Sequence, residues 1–238
     1  MQSELADGPS VGTFRKTLLA WGRRNRRVFP WRVTRDPYRV IIGELLLQRT
    51  RGENVVAVYD EMLRRWPTPA KLARARLATI ANVIRPLGLA KRAPIIARFA
   101  KVLDAEFNGS VPSDPDLAQR LPGVGPYASR AVQVFARGRD LPLTDWLIAR
   151  VLRRYFALPE GRRPNADTKL WDVASSLASD GRARDLWLSV LDLGAAICQP
   201  RPRCGICPLA SSCAYAREGP NVPRTQLLSR AQAKVTPM

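Results

Sequence analysis

Residues 121–126 read Leu121-Pro122-Gly123-Val124-Gly125-Pro126, two glycines and two prolines set between stretches of helical pattern. Gly123 and Gly125 let the backbone turn tightly and approach a phosphate closely, while a helix opening at Pro126 offers free N–H groups and the positive end of its dipole. Such a segment can clamp a nucleic-acid backbone without reading its bases. A GxG string between helices is also a common plain connection, so its surroundings decide between the two.

Outward from this turn the helical period dominates and β-branched alternation is nearly absent, which predicts an all-α fold. On the N-terminal side, Ser113 with Asp116 reads as a capping box for a short helix to Leu121, and further helices are expected near 90–107, 77–85, 69–75 and 52–66. Asp36-Pro37, an N-cap followed by proline at the first helical position, opens a helix through about Gln48. Phe14, Leu18 and Trp21 mark another over 12–27, finishing in Arg23, Arg24, Arg26 and Arg27. On the C-terminal side a helix to about Arg137, a loop at 138–144 and helices near 145–156, 166–179 and 182–197 are expected. Beyond Cys213 apolar periodicity fades, which predicts an extended, flexible tail.

The 238 residues hold 39 Lys+Arg against 20 Asp+Glu, a net +19, with no histidine. That length suits one large domain or two small lobes whose core needs no disulfide staples. The positive excess predicts a polyanionic partner, nucleic acid ahead of anionic membrane. Thirty-three of the 39 bases are Arg; a GC-rich genome explains Arg over Lys but leaves the net charge unexplained. Without an imidazole, Ser-His-Asp triads, Cys-His dyads and His-ligated zinc hydrolases are excluded, so acid–base work falls to Asp, Glu, Tyr, Lys or Cys. Glu4 and Asp7 stand where a signal peptide carries bases, and no apolar run approaches the ~18 residues of a membrane span. A cytoplasmic, nucleoid-associated protein with no membrane partner is expected.

Two further constellations carry chemistry. Cys198, Cys204, Cys207 and Cys213 bring four thiols into sixteen residues, with Pro200, Pro202 and Pro208 between them. Thiolates this close can wrap one metal centre, either an iron–sulfur cluster or a four-thiolate zinc ion, and four unligated thiols are the plainer alternative. The other is a pair of carboxylates. Glu44 lies in Val40–Gln48, a segment apolar nearly all round and so buried, where a carboxylate must be paired, hydrogen-bonded or protonated. Gln48 falls one turn on, on the same face. Asp145 opens the helix over 145–156, so its ordinary reading is an N-cap.

Together these residues resemble the helix-hairpin-helix DNA glycosylases of the endonuclease III/MutY superfamily, over about Phe29 to Cys213. The family pattern of hairpin, aspartate some twenty residues later and four-cysteine loop falls here on Leu121–Gly125, Asp145 and the four cysteines. The resemblance implies two helical lobes with DNA in the cleft between them. A six-helix barrel with the hairpin would span 29–139, and residues 1–28 and 140–238 would form a lobe holding one 4Fe-4S cluster on Cys198, Cys204, Cys207 and Cys213. Two places after the hairpin's second glycine, where bifunctional relatives carry a Schiff-base lysine, this chain has Tyr127, and no lysine occurs in 122–137. Arginine does not deprotonate into a nucleophile, so a monofunctional enzyme is implied. Tyr127, Thr34–Tyr38 and Glu44–Thr50 look most like the Mig-type thymine mismatch glycosylases. MutY enzymes normally add a large reader of oxidised guanine, for which the 25 residues after Cys213 leave no room.

The resemblance implies that a mispaired thymine or uracil opposite guanine is flipped from double-stranded DNA by a monomeric enzyme and cut from its sugar. Asp145 would stabilise the oxocarbenium-like sugar, Tyr127 would stack on or hydrogen-bond the base, and Glu44 would bond its edge or donate a proton. Gln48 would fill the vacated stack with Leu89 as a wedge, while Arg49, Leu121, Gly123, Val124, Gly125, Arg130, Arg201 and Arg203 would hold the backbone. The departures are a first cysteine interval of five residues instead of six, Trp146 after Asp145 where relatives carry a small residue, and a loop 88–93 one residue short. The alternatives are a MutY-like adenine or modified-cytosine glycosylase on the same fold, and a non-catalytic iron–sulfur DNA-binding protein.

Overall fold

The structure is a computed structural model and describes residues 9–48, 50–159 and 163–219. Its helices are α1 (Val11–Asn25), α2 (Pro30–Val33), α3 (Pro37–Leu46), α4 (Gly52–Arg65), α5 (Pro69–Ala73), α6 (Leu77–Ile84), α7 (Ala93–Phe107), α8 (Pro115–Ala118), α9 (Pro126–Arg137), α10 (Trp146–Phe156), α11 (Thr168–Leu177), α12 (Ala183–Ala196) and α13 (Ala214–Glu218). There is no β-strand among the described residues, as the periodicity requires. No helix among them is long and apolar enough to cross a membrane.

The chain forms two compact units, one from the described residues up to Arg26 and from Pro142 onward, the other from Arg27 to Leu141. The second unit contains α3, α4, α5, α6, α7 and α9, with the short α2 and α8. Its centre is α3, where Val40, Ile41, Ile42, Leu45 and Leu46 are each at most 1% exposed. A helix apolar on every side needs neighbours on every side, and α2, α4 and α9 supply them. In the first unit α12 is the central element, flanked by α1 and α10. Trp187 on α12 is wholly buried, and Phe14 of α1 meets the Tyr155 ring edge-on at 4.9 Å. Arg153 and Asp167 form a buried ion pair at 2.6 Å, and the same aspartate caps α11 by accepting from Leu170 N.

Several local expectations need correcting. The helix from Pro37 ends at Leu46 with Leu47 as its cap, and side chains satisfy its last carbonyls: Thr50 Oγ1 donates to Leu46 O and Arg92 donates to Leu45 O at 3.2 Å. Gln48 follows the cap as a turn residue. Before the hairpin Asp114, not Ser113, is the cap, accepting from Asp116 N at 2.7 Å, since Pro115 takes the first helical position. Residues 90–92 form a separate 3-10 turn ahead of α7. Asp167 starts α11 two residues later than the periodicity suggests. The stretch after Cys213 is helical over Ala214–Glu218, with Arg154 of α10 over the Tyr215 ring at 4.9 Å. The remainder of the expected tail lies outside the described residues.

Candidate active site and cysteine loop

In the second unit the hairpin turn is set by Gly123. Its φ of +82° is a left-handed conformation, and an added Cβ would lie 2.7 Å from Ile95 Cγ2 and 3.3 Å from Leu45 Cδ2. Glycine is thus required twice, by the dihedral and by the close approach of α3 and α7. Leu121 and Val124 are 1% and 6% exposed and are closed by the Val124 N to Leu121 O bond at 3.1 Å. Their side chains anchor the turn, leaving the backbone of exposed Gly123 and Gly125 to face outward. Gln48, a half-buried turn residue, donates from Nε2 to Gly123 O at 3.2 Å. The structure therefore brings together Gln48 and the hairpin, 75 residues apart.

Tyr127 and Arg130 are half-buried on the first turns of α9, three residues apart and so on one face. Glu44 is 7% exposed near the end of α3, as its apolar surroundings require. Leu89 is 8% exposed, so this conformation tucks the proposed wedge inward. It follows Gly88, whose φ of +71° turns the chain between two 3-10 segments. Arg49 lies outside the described residues.

In the first unit Asp145 is the N-cap of α10, its carboxylate accepting from Ile148 N at 2.6 Å. Burial pushes this carboxyl above the usual aspartate range, against the opposing pull of the Ile148 and Leu147 N–H groups and the Arg150 charge. The carboxyl is thus fixed by the backbone at the helix start, and burial favours its protonated form.

The cysteine loop follows α12 in the same unit. Cys198, Cys204, Cys207 and Cys213 are free and half-buried. Burial first, then the charges of Cys213, Cys198 and Cys204, push the Cys207 thiol up to about 11, so the four sulfurs act on one another electrostatically. No three Cys, Asp or Glu side chains among the described residues converge as ligands of a metal ion. The donor chemistry nevertheless fits a 4Fe-4S cluster: four thiols on one loop, none in a disulfide. Arg201 and Arg203 on that loop are exposed.

Sequence reasoning missed the residues that hold this loop. Arg150 Nε donates to Cys198 O at 2.8 Å and its NH2 to Gly194 O at 3.1 Å. Arg154 NH1 donates to Gln199 O at 2.6 Å and NH2 to Pro200 O at 3.0 Å. Their i, i+4 spacing on α10 was the available signal, but it does not show which carbonyls they meet. Trp146, which follows Asp145 where relatives carry a small residue, is 66% exposed.

Residues 42–175 match the family model described as HhH-GPD superfamily base excision DNA repair protein. The chain belongs to this superfamily. A thymine/uracil-DNA glycosylase of Pyrobaculum aerophilum is 37% identical over 211 residues, 86% of this chain and 92% of the relative. An adenine DNA glycosylase of Mycobacterium tuberculosis is 35% identical over 205 residues, 85% of this chain and 67% of the relative. Among solved structures, a thermostable thymine-DNA glycosylase matches with a TM-score of 0.82 at 33% identity, over 87% of this chain and 97% of that one.

Proposed function

We propose that this base-excision DNA glycosylase removes thymine or uracil opposite guanine from double-stranded DNA by hydrolysis, acting as a monomer without a lyase step. The observation that carries the reading is Asp145, a carboxylate fixed by the Ile148 N–H at the start of α10 in a chain of this superfamily. Cleavage of the N-glycosidic bond leaves electron-poor character on the deoxyribose, which ionised Asp145 would stabilise while water adds to the sugar and the base departs. Tyr127 would meet the flipped base and Glu44 its hydrogen-bonding edge, and Gln48 would occupy the space the base leaves. The absence of lysine over 122–137 removes the Schiff-base route at Tyr127.

The hairpin would hold phosphates through the backbone of Gly123 and Gly125, with Arg49 and Arg130 adding charge. Cys198, Cys204, Cys207 and Cys213 would hold one 4Fe-4S cluster, which supplies a covalent cross-link of the loop that carries Arg201 and Arg203. The thymine/uracil target draws support from the 37% identity to the Pyrobaculum enzyme and from the 0.82 TM-score to a thymine-DNA glycosylase.

Single-turnover assays on T:G, U:G, A:G and A:oxidised-guanine duplexes test this reading, with strand breakage read before and after alkali. The expected result is base loss from T:G or U:G, revealed only by alkali. Product from the adenine duplexes alone would move the enzyme to that class. Breakage without alkali would overturn the monofunctional reading, and binding without turnover across the panel would leave a non-catalytic protein.

A further inference from the structure

The first turn of α10 carries a side chain that the excision chemistry above does not use. Trp146 follows Asp145 and stands 66% exposed, while the next two residues, Leu147 and Ile148, turn inward. Leu147 packs so closely on α12 that a Cβ at Gly194 would lie 2.2 Å from Leu147 Cδ2, and Ile148 and Ala149 are 0% and 1% exposed. The helix thus buries its aliphatic side chains and leaves its largest one in solvent, forgoing one of the largest apolar burials a residue offers. Trp146 is also the one aromatic among the exposed large apolar side chains of the described residues.

Its place on the helix adds a second observation. One and two turns on, at i+4 and i+8, stand Arg150 and Arg154, whose guanidiniums are fixed on the carbonyls of Gly194, Cys198, Gln199 and Pro200. That row leads to the loop bearing exposed Arg201 and Arg203. A flat ring on a helix that holds a loop of exposed cations suits a nucleic-acid strand with an uncovered base: the ring takes the base face, and Arg201 and Arg203 are free to meet the backbone.

We propose that Trp146 stacks on a base of the damaged DNA, beside the carboxylate that acts on the sugar. The inference rests on the reading of Asp145 as the group at the sugar. In an intact duplex both faces of every base are covered by neighbours, so the indole finds a free face only where the stack is interrupted by an extruded nucleotide. Trp146 therefore favours the lesion over matched DNA, which makes it a specificity-determining residue.

The test uses full-length protein and two duplexes, one with a tetrahydrofuran abasic analogue opposite guanine and one fully matched. Trp146→Ala should weaken binding to the first by about 5- to 150-fold and leave the second unchanged, the range expected for one lost base–aromatic stack. Trp146→Phe should restore most of the loss, and the slope of log affinity against log salt should not change, since no charge is removed. Equal binding by parent and Ala variant overturns the proposal, as does equal weakening on both duplexes or failure of Phe to restore. If the differential loss appears while the parent cuts neither T:G nor U:G, the stacking role stands and the target-base reading falls. If the parent cuts T:G and the Ala variant matches it in binding and cutting, the reverse holds.

Discussion

Replacing Asp145 by Asn separates its observed job as an N-cap from its proposed one as a charge at the sugar. As an N-cap it accepts from Ile148 N at 2.6 Å, and Asn caps helices about as well as Asp, so α10 should keep its start. Asp145→Ala would lose that cap as well, at a cost of about 0.5–2 kcal/mol. As a charge, Asp145 sits where burial raises its carboxyl above the ordinary range. The folded protein therefore holds this proton more tightly than the unfolded chain. The associated stability is fully present below the unfolded value and is lost as pH rises through the raised folded value. Asn carries no such titration, so its melting temperature should equal or exceed that of the parent at neutral pH, with the difference shrinking in acid. Catalysis should move the other way. Losing one preorganised charge costs about 2.7–4 kcal/mol of barrier, roughly a hundredfold to a thousandfold in single-turnover rate. The parent's rate should rise with pH along an acid limb lying above the usual aspartate range, because the ionised form is the active one. Residual activity within tenfold of the parent, or an acid limb at the ordinary aspartate value, would refute the assignment of Asp145 as the sugar-stabilising charge.

Other substitutions probe the frame around the site. Gly123→Ala forces a left-handed alanine and sets a methyl against Ile95, so it should destabilise by about 1–2 kcal/mol and weaken binding to matched and mismatched duplex alike; an unchanged melt would contradict the required φ. Thr144, beside Asp145, is wholly buried with no hydrogen-bond partner for Oγ1 among the described residues. The isosteric Thr144→Val should therefore raise stability by about 1–3 kcal/mol, and a lower melting temperature would reveal a bond the hydroxyl does make. Cys207→Ser should abolish the iron–sulfur absorbance of purified protein and lower its iron content while DNA binding at the hairpin persists. A colourless parent containing zinc would replace the cluster with a four-thiolate zinc site.

The helices around the site were legible because their signals are local. Asp36-Pro37 and Pro126 announce starts through chain chemistry that needs no partner, and Asn108-Gly109 announces an end in the same way. Asp145 was readable as a cap for that reason, and Glu44 as buried because the residues around it are apolar on every side. Ser113 misled because two adjacent polar residues compete for one cap, and Pro115 decides in favour of the residue just before it. Gln48 could be placed at the end of α3 by the same local pattern, but nothing near it in the chain shows its bond to Gly123 O, 75 residues away.

What the sequence by itself determined is the set of parts: an all-helical chain, a glycine turn between helices, a capping carboxylate, four thiols on one loop and a large positive charge. Only the tertiary structure decided how those parts are held. Gln48 reaches the carbonyl of Gly123, and the cations of α10 grip the cysteine loop more than forty residues away. It also decided that Leu89 points inward while Trp146 stands in solvent. The physical reason is range. Caps, turns and periodicity act over a few residues along the chain, whereas burial and long-range hydrogen bonds depend on which distant segments the packed core brings within a few ångströms.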